Sequence, residues 1–144
     1  MENFTCEEPS GDLVLRTLAM PADSNPNGDI FGGWIMSQMD IAGGIVAKEV
    51  SESRVVTVAV DSMRFIRPVQ VGDVVCCYGK IIKTGTTSIT VNLEVWVKPV
   101  LGRPGEQCRR FKVTEASFTY VAVDEHGQKK PYRTVIDDNV RGKK

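Results

Sequence analysis

Apolar positions between residues 31 and 50 recur at helical spacing. Ile35, Met39, Ala42 and Val46 follow one another at intervals of four, three and four residues, which places them on one face of an α-helix. We therefore predict one long helix over 31–50, with Asp29 as its N-terminal cap. Other apolar side chains cover most of its remaining directions, so we expect this helix to be buried on most sides.

Period-two alternation predicts strands on either side of this helix. The segments with this pattern are 13–19, 54–65, 73–83, 86–97 and about 108–123. One helix that follows the first strand of an otherwise antiparallel sheet predicts an α+β fold, with the sheet curled around the helix. An open sheet leaves an unpaired edge strand, so we also expect pairing with a second copy of the chain.

Length and charge limit the classes of function. The 144 residues fit one domain over 1–144, with its core at about 11–124 and a basic tail at 125–144. Eighteen basic residues balance eighteen acidic ones, so neither a nucleic acid nor a membrane surface is an expected partner. The tail is either a solvated end or a group that neutralises a phosphorylated ligand.

The cysteines and the N-terminus predict a compartment. No stretch approaches the ~20 apolar residues of a membrane span, and the first eleven residues carry no basic residue of a secretory signal. The four cysteines lack metal-binding spacing, and Cys76 and Cys77 point to opposite faces of a strand. We expect all four to be reduced thiols and the protein to be cytoplasmic.

Elimination leaves a carboxylate as the candidate catalytic group. The only histidine, His126, lies in a turn near the end of the chain, so neither a catalytic triad nor a zinc site is expected. Asp40 lies in mid-helix within an apolar segment, where aspartate has poor helix propensity. Gly43 and Gly44, on its face of the helix, leave space for substrate or for a closely packed strand. The alternative is an Asp40 that is merely solvated or bonded to a backbone amide.

A glycine pair at the predicted helix start is the second candidate feature. The free amides of Gly32 and Gly33 carry partial positive charge and suit the polarisation of a carbonyl group. The alternative is a glycine-rich helix entry without a role. Asp40 follows Gly33 by seven residues, roughly 10 Å along the axis. A water molecule, or a carboxylate from another subunit, is needed to join the two.

The sequence also resembles a known family. The run NGDIFGGWIMSQMD, followed by RVVTVAVDSMRFIRPVQVGDVVCCYGK and VNLEVWVK, resembles the bacterial broad-specificity acyl-CoA thioesterases of the YciA type. The resemblance covers roughly residues 11–124. It implies the hotdog fold, in which five antiparallel strands wrap around one long helix. It also implies a hexamer built as a trimer of dimers, with active sites at each dimer interface.

The resemblance implies roles for three residues at the thioester. Asp40 matches the family's helix aspartate, which acts as general base or nucleophile. Asn25 matches a loop asparagine that orients water or the thioester, and Gly33 supplies the amide that polarises the carbonyl. In the family these groups come from different subunits, so the resemblance implies a dimer as the catalytic unit.

Coenzyme A belongs to the substrate and the product, so the resemblance implies no separate cofactor. It places Gly32 beside Gly33 as a substrate contact and makes Ser62, Arg64 and Arg67 contacts of coenzyme A. The two arginines are equally consistent with solvated charges at a strand end. Two other functions are a non-catalytic hotdog module that binds acyl-CoA and a hotdog dehydratase. Asp40 favours an enzyme over the former, and the position of His126 disfavours the latter.

Overall fold

The computed structural model describes residues 6–99, 101, 105 and 108–132. A single antiparallel sheet, in the order β1–β3–β4–β5–β2, packs on one long helix. This confirms the α+β hotdog layout. The elements are β1 (Asp12–Leu18), α1 (Gly32–Ser51), β2 (Arg54–Phe65), β3 (Val74–Thr84), β4 (Ser88–Lys98) and β5 (Phe111–Val123).

The apolar stripe of α1 forms the centre of the core. Ile35, Met39 and Ala42 are buried against the inner face of the sheet, together with Leu93 of β4. The helix is less enclosed than its composition predicts, because Met36 is exposed and Ile41 is 50% exposed. The sheet covers one side of α1, so in the single chain the expected burial on most sides is wrong.

The start of α1 differs from the prediction. Phe31 is the N-cap, and no side chain caps the first turn. Residues before it are held in an extended path, since Asp29 forms a bridge with Gln70 and the Ile30 amide donates to the Val69 carbonyl. The expected Asp29 cap is therefore wrong. The first helical amides, at Gly32 and beyond, lack a side-chain acceptor from this segment.

The long strand β2 lies at an edge of the sheet, paired only with β5 among the described elements. Its bounds are those predicted from its alternation. Val56, Val58 and Val60 are all exposed. A twelve-residue edge strand with exposed valines is a surface that favours pairing with another strand.

The N-terminal segment is joined by a disulfide between Cys6 and Cys108 to the residues that precede β5. Near the disulfide, Glu8 forms an ion pair with Arg110, and the Ser10 amide donates to Glu94 Oε1 at 3.2 Å. These contacts bring the two cysteine Cα atoms within 5.8 Å, a bonding separation. The prediction of four reduced thiols is wrong for this pair. A cytoplasmic location, which rested partly on it, stays a prediction.

Cys76 and Cys77 are free thiols buried in β3. Burial, and secondarily the neighbouring Cys76, raises the pKa of Cys77 to about 12, so its reactive thiolate is scarce at neutral pH. Over the residues the structure describes, no cluster of three or more His, Cys, Asp or Glu is arranged to hold a metal ion. Nor does a helix in this part of the chain have the length and hydropathy of a membrane span.

Thiol titration checks the cysteine pairing. Protein purified and denatured without reductant is expected to show two free thiols, from Cys76 and Cys77, and four after reduction. A Cys108→Ser variant releases Cys6 and should therefore show three thiols before reduction. Four thiols in unreduced wild-type protein would contradict the disulfide.

Candidate active site

Two hydroxyl groups hold the carboxylate of Asp40. Thr57 Oγ1, on β2, donates a hydrogen bond of 2.6 Å to Asp40 Oδ1. Tyr120 Oη, on β5, lies 3.1 Å from the same Oδ1 and 3.0 Å from the backbone carbonyl oxygen of Asp40. Thr57 and Tyr120 are register partners across the two strands, so the sheet presents both hydroxyls together. Among the described residues, no hydrogen bond engages Oδ2.

Gly43 makes room for the Tyr120 hydroxyl. A Cβ atom at residue 43 would lie 2.2 Å from Tyr120 Oη and 2.9 Å from Leu93 Cδ1. Of the two uses predicted for this space, a closely packed strand is therefore the one observed. Gly44 differs, because the nearest atom to its Cβ position is Tyr120 Cε1 at 4.0 Å.

Tyr120 acts as a hydrogen-bond donor here. Burial raises the pKa of its hydroxyl, and the charge of Asp40 and the hydrogen bond to it raise that pKa further. The hydroxyl therefore stays protonated at physiological pH. Both the Thr57 and the Tyr120 hydroxyl therefore donate to Asp40 Oδ1.

Asn25 organises the loop before the helix. Its Oδ1 accepts hydrogen bonds from the amides of Asn27, at 2.9 Å, and Asp29, at 3.1 Å. Gly33 lies two residues into α1 and is exposed. Neither Asn25 nor Gly33 is a hydrogen-bond partner of Asp40 within the chain as described. The single chain thus does not bring the three predicted catalytic residues together.

The predicted coenzyme A contacts fall in two places. Ser62 and Arg64 line an open cavity of about 390 Å³, bordered also by Asn92 and Glu115. Ser62 has a φ of 58°, at an irregularity in the pairing of β2 with β5. Arg67 instead places its guanidinium 3.8 Å from the centre of the Phe111 ring.

Gly32 and the basic tail are the remaining predicted ligand contacts. A Cβ atom at Gly32 would lie 3.3 Å from Phe65 Cζ, so this glycine permits close packing of the helix start on the end of β2. Lys129 forms a bridge with Val123, and the Lys130 amide donates to the Ala122 carbonyl. Residues 133–144 lie outside the described residues, so a ligand-binding role of the tail stays a prediction.

Thr57 and Tyr120 are the residues of the candidate site that the sequence analysis missed. Each lies in a strand whose alternation predicts only its face of the sheet. The available signal was Gly43, three residues after Asp40, since a helix glycine indicates close approach by another group. Which side chain fills that space depends on strand register, which the sequence alone does not give.

One long helix with a carboxylate in its middle, packed on five antiparallel strands, defines the class of the hotdog-fold thioesterases. Consistent with this class, residues 27–101 match the sequence model of the thioesterase superfamily. The chain is 65% identical over 123 residues to the acyl-CoA thioester hydrolase YciA of Salmonella typhimurium. The matched region covers 85% of this chain and 91% of that protein. The chain belongs to the thioesterase superfamily and, within it, to the acyl-CoA thioester hydrolases of the YciA type.

Solved structures agree with this assignment. A hexameric thioesterase from Yersinia pestis is 63% identical, with a TM-score of 0.80 over 87% of this chain and 98% of that one. A hexameric hotdog fold thioesterase of Campylobacter jejuni is 43% identical, with a TM-score of 0.78 over 92% of this chain and 97% of the other.

Proposed function

We propose that this protein hydrolyses acyl-CoA thioesters to free coenzyme A and a carboxylic acid, with Asp40 as the reacting carboxylate. The observation that carries the proposal is that two hydroxyls donate hydrogen bonds to Asp40 Oδ1. The second oxygen, Oδ2, has no hydrogen-bond partner among the described residues. A fixed carboxylate with one unengaged oxygen is suited to activate a water molecule or to attack a thioester. The amide of Gly33, at the positive end of α1, would stabilise the oxyanion.

The catalytic unit that we propose is a dimer formed through β2. Asp40 hydrogen-bonds to Thr57 of this edge strand, so a second copy paired along β2 would lie beside the carboxylate. The second chain would then bring its own Asn25 and Gly33 to Asp40. This arrangement overcomes the separation of roughly 10 Å between Gly33 and Asp40 along one helix. Because similar thioesterases are described as hexameric, we propose a trimer of such dimers.

Ser62, Arg64 and Arg67 are the proposed contacts of coenzyme A. The cavity lined by Ser62 and Arg64 offers one guanidinium, two serine hydroxyls and one side-chain amide, and it also contains the carboxylates of Asp61 and Glu115. The guanidinium, hydroxyl and amide groups suit the phosphate oxygens of the nucleotide, and Lys112 neutralises the charge of Glu115. Asp40 lies on the helix side of the sheet, so coenzyme A would extend from this cavity around the edge at β2.

Turnover of a panel of acyl-CoA thioesters tests the activity. Loss of thioester absorbance and appearance of the coenzyme A thiol should proceed together in the presence of wild-type protein. Cys76 and Cys77 are buried, so a thiol reagent reports the product rather than the native protein. Tight binding of coenzyme A without turnover of any member would instead indicate a non-catalytic binding module.

Mixing two inactive variants tests the shared site. In a mixed dimer of Asp40→Asn and Asn25→Ala chains, one site combines a wild-type Asp40 with a wild-type Asn25. Random assembly of equal amounts makes about half of the dimers mixed, so about one quarter of wild-type activity should return. Each variant refolded alone is the control. If mixed dimers form and remain inactive, Asp40 and Asn25 do not act across the interface.

A further inference from the structure

The Tyr120 hydroxyl is directed entirely at Asp40. The Tyr120 side chain is 1% exposed, and its ring stacks near Phe118 within the core. Both acceptors of the hydroxyl belong to one residue, namely the carbonyl oxygen and Oδ1 of Asp40. A buried hydroxyl is costly unless it is hydrogen-bonded, so these two contacts determine whether a tyrosine is tolerated at this position.

Packing alone does not account for this hydroxyl. A phenylalanine ring would fill the same core space without any polar group. The hydroxyl also requires a glycine at residue 43, because a Cβ atom there would lie 2.2 Å from Oη. Glycine within a helix is less favourable than alanine by about 1 kcal/mol. The chain therefore carries a helix-weakening residue at the place where the hydroxyl reaches Asp40.

We propose that Tyr120 is a positioning residue: together with Thr57 it fixes Asp40 Oδ1, so that Oδ2 is the oxygen that reacts. This inference rests on the proposed thioesterase function. A carboxylate free to rotate presents either oxygen in many directions, whereas two bonds to one oxygen select a single orientation. Because the Tyr120 pKa is raised, its hydroxyl keeps the proton that makes this bond.

In hydrolysis by general-base catalysis, this orientation makes Oδ2 the atom that takes up the proton of the attacking water. Oδ2 accepts a proton from water while the water oxygen forms a bond to the thioester carbonyl carbon. The carbon–sulfur bond then breaks, and the proton held on Oδ2 passes to the departing thiolate. The products are a carboxylic acid and the coenzyme A thiol, and Tyr120 neither gains nor loses a proton.

Tyr120→Phe tests the role of the hydroxyl. We expect kcat to fall about tenfold, since a hydrogen bond to a charged group is lost, while KM stays within about twofold because Tyr120 is buried away from the substrate. Tyr132→Phe is the matched control. It removes a partly buried tyrosine hydroxyl that donates to the Ser88 carbonyl, at 2.6 Å, rather than to Asp40. We expect Tyr132→Phe to keep wild-type kcat.

Crystal structures of wild type and Tyr120→Phe separate this inference from the proposed function. A rotated Asp40 carboxylate in the variant, together with the selective fall in kcat, supports positioning. If kcat falls no further than in Tyr132→Phe, the role of Tyr120 is overturned while wild-type turnover still supports the thioesterase. If wild type itself hydrolyses no acyl-CoA, the proposed thioesterase function is contradicted. An unchanged Asp40 orientation in the Tyr120→Phe structure would then contradict the positioning role of Tyr120 as well.

Discussion

Asp40→Asn is expected to lower kcat for acyl-CoA hydrolysis by about 10²- to 10⁴-fold, the usual contribution of a positioned acid or base. Asparagine has nearly the same shape, and its side-chain oxygen is able to accept the same bonds from Thr57 and Tyr120. It cannot take a proton from water or attack a carbonyl at neutral pH. The measurement is turnover of a thioester panel, with circular dichroism to show that the fold is kept.

Asp12→Asn is the matched control for this substitution. Asp12 lies exposed at the start of β1, on the opposite edge of the sheet from β2. The same change of charge there should leave kcat within about twofold, as expected for a surface site away from the chemistry. Near-wild-type turnover by a folded Asp40→Asn protein would remove Asp40 from the mechanism.

Local pattern predicted the elements of this fold closely. β2 has the bounds that its alternation indicates, and α1 begins and ends one residue later than its apolar periodicity predicts. The cap was wrong because Asp29 is held by a bridge to Gln70, a contact between segments distant in sequence. Periodicity describes which face of an element is apolar, whereas a cap depends on the path of the chain into the helix.

The site could be predicted only in part for a similar reason. Asp40 is conspicuous in the sequence as an acid within an apolar helix, and elimination of histidine chemistry leaves it as the candidate. Thr57 and Tyr120 meet it through the register of β2 on β5, which shifts between Thr57 and Ala59. A one-residue change in register turns a side chain to the other face, so the partners of Asp40 required the structure. The Cys6–Cys108 disulfide joins residues separated by 102 positions, and local sequence patterns do not indicate such a distant pairing.

Gly43→Ala should destabilise the protein, against the intrinsic preference of a helix for alanine. The added Cβ would lie 2.2 Å from Tyr120 Oη and 2.9 Å from both Tyr120 Cε2 and Leu93 Cδ1. Both neighbours are buried in the core, so neither can move without displacing others. Overpacking of this kind costs about 1–3 kcal/mol, more than the gain of about 1 kcal/mol from helix propensity. The measurement is denaturant unfolding at one fixed protein concentration.

Gly44→Ala is the matched control, since it changes the adjacent residue of the same helix. Its Cβ would meet only Tyr120 Cε1, at 4.0 Å, so the propensity gain of up to about 1 kcal/mol should remain. The two variants are thus expected to shift stability in opposite directions. A stabilising Gly43→Ala would show that the space beside Asp40 is not filled as described.

The double variant Gly43→Ala/Tyr120→Phe tests whether the space beside Gly43 serves the contact between Tyr120 and Asp40. Removing the hydroxyl relieves the closest of the overlaps, at 2.2 Å, while those with Cε2 and Leu93 at 2.9 Å remain. The pair should therefore be less destabilised than the sum of the two single variants, because both changes act on one contact. In activity the pair should resemble Tyr120→Phe, since Gly43→Ala acts on Asp40 mainly by displacing a hydroxyl that the double variant already lacks. Additive losses of stability and of kcat would contradict a shared contact among Gly43, Tyr120 and Asp40.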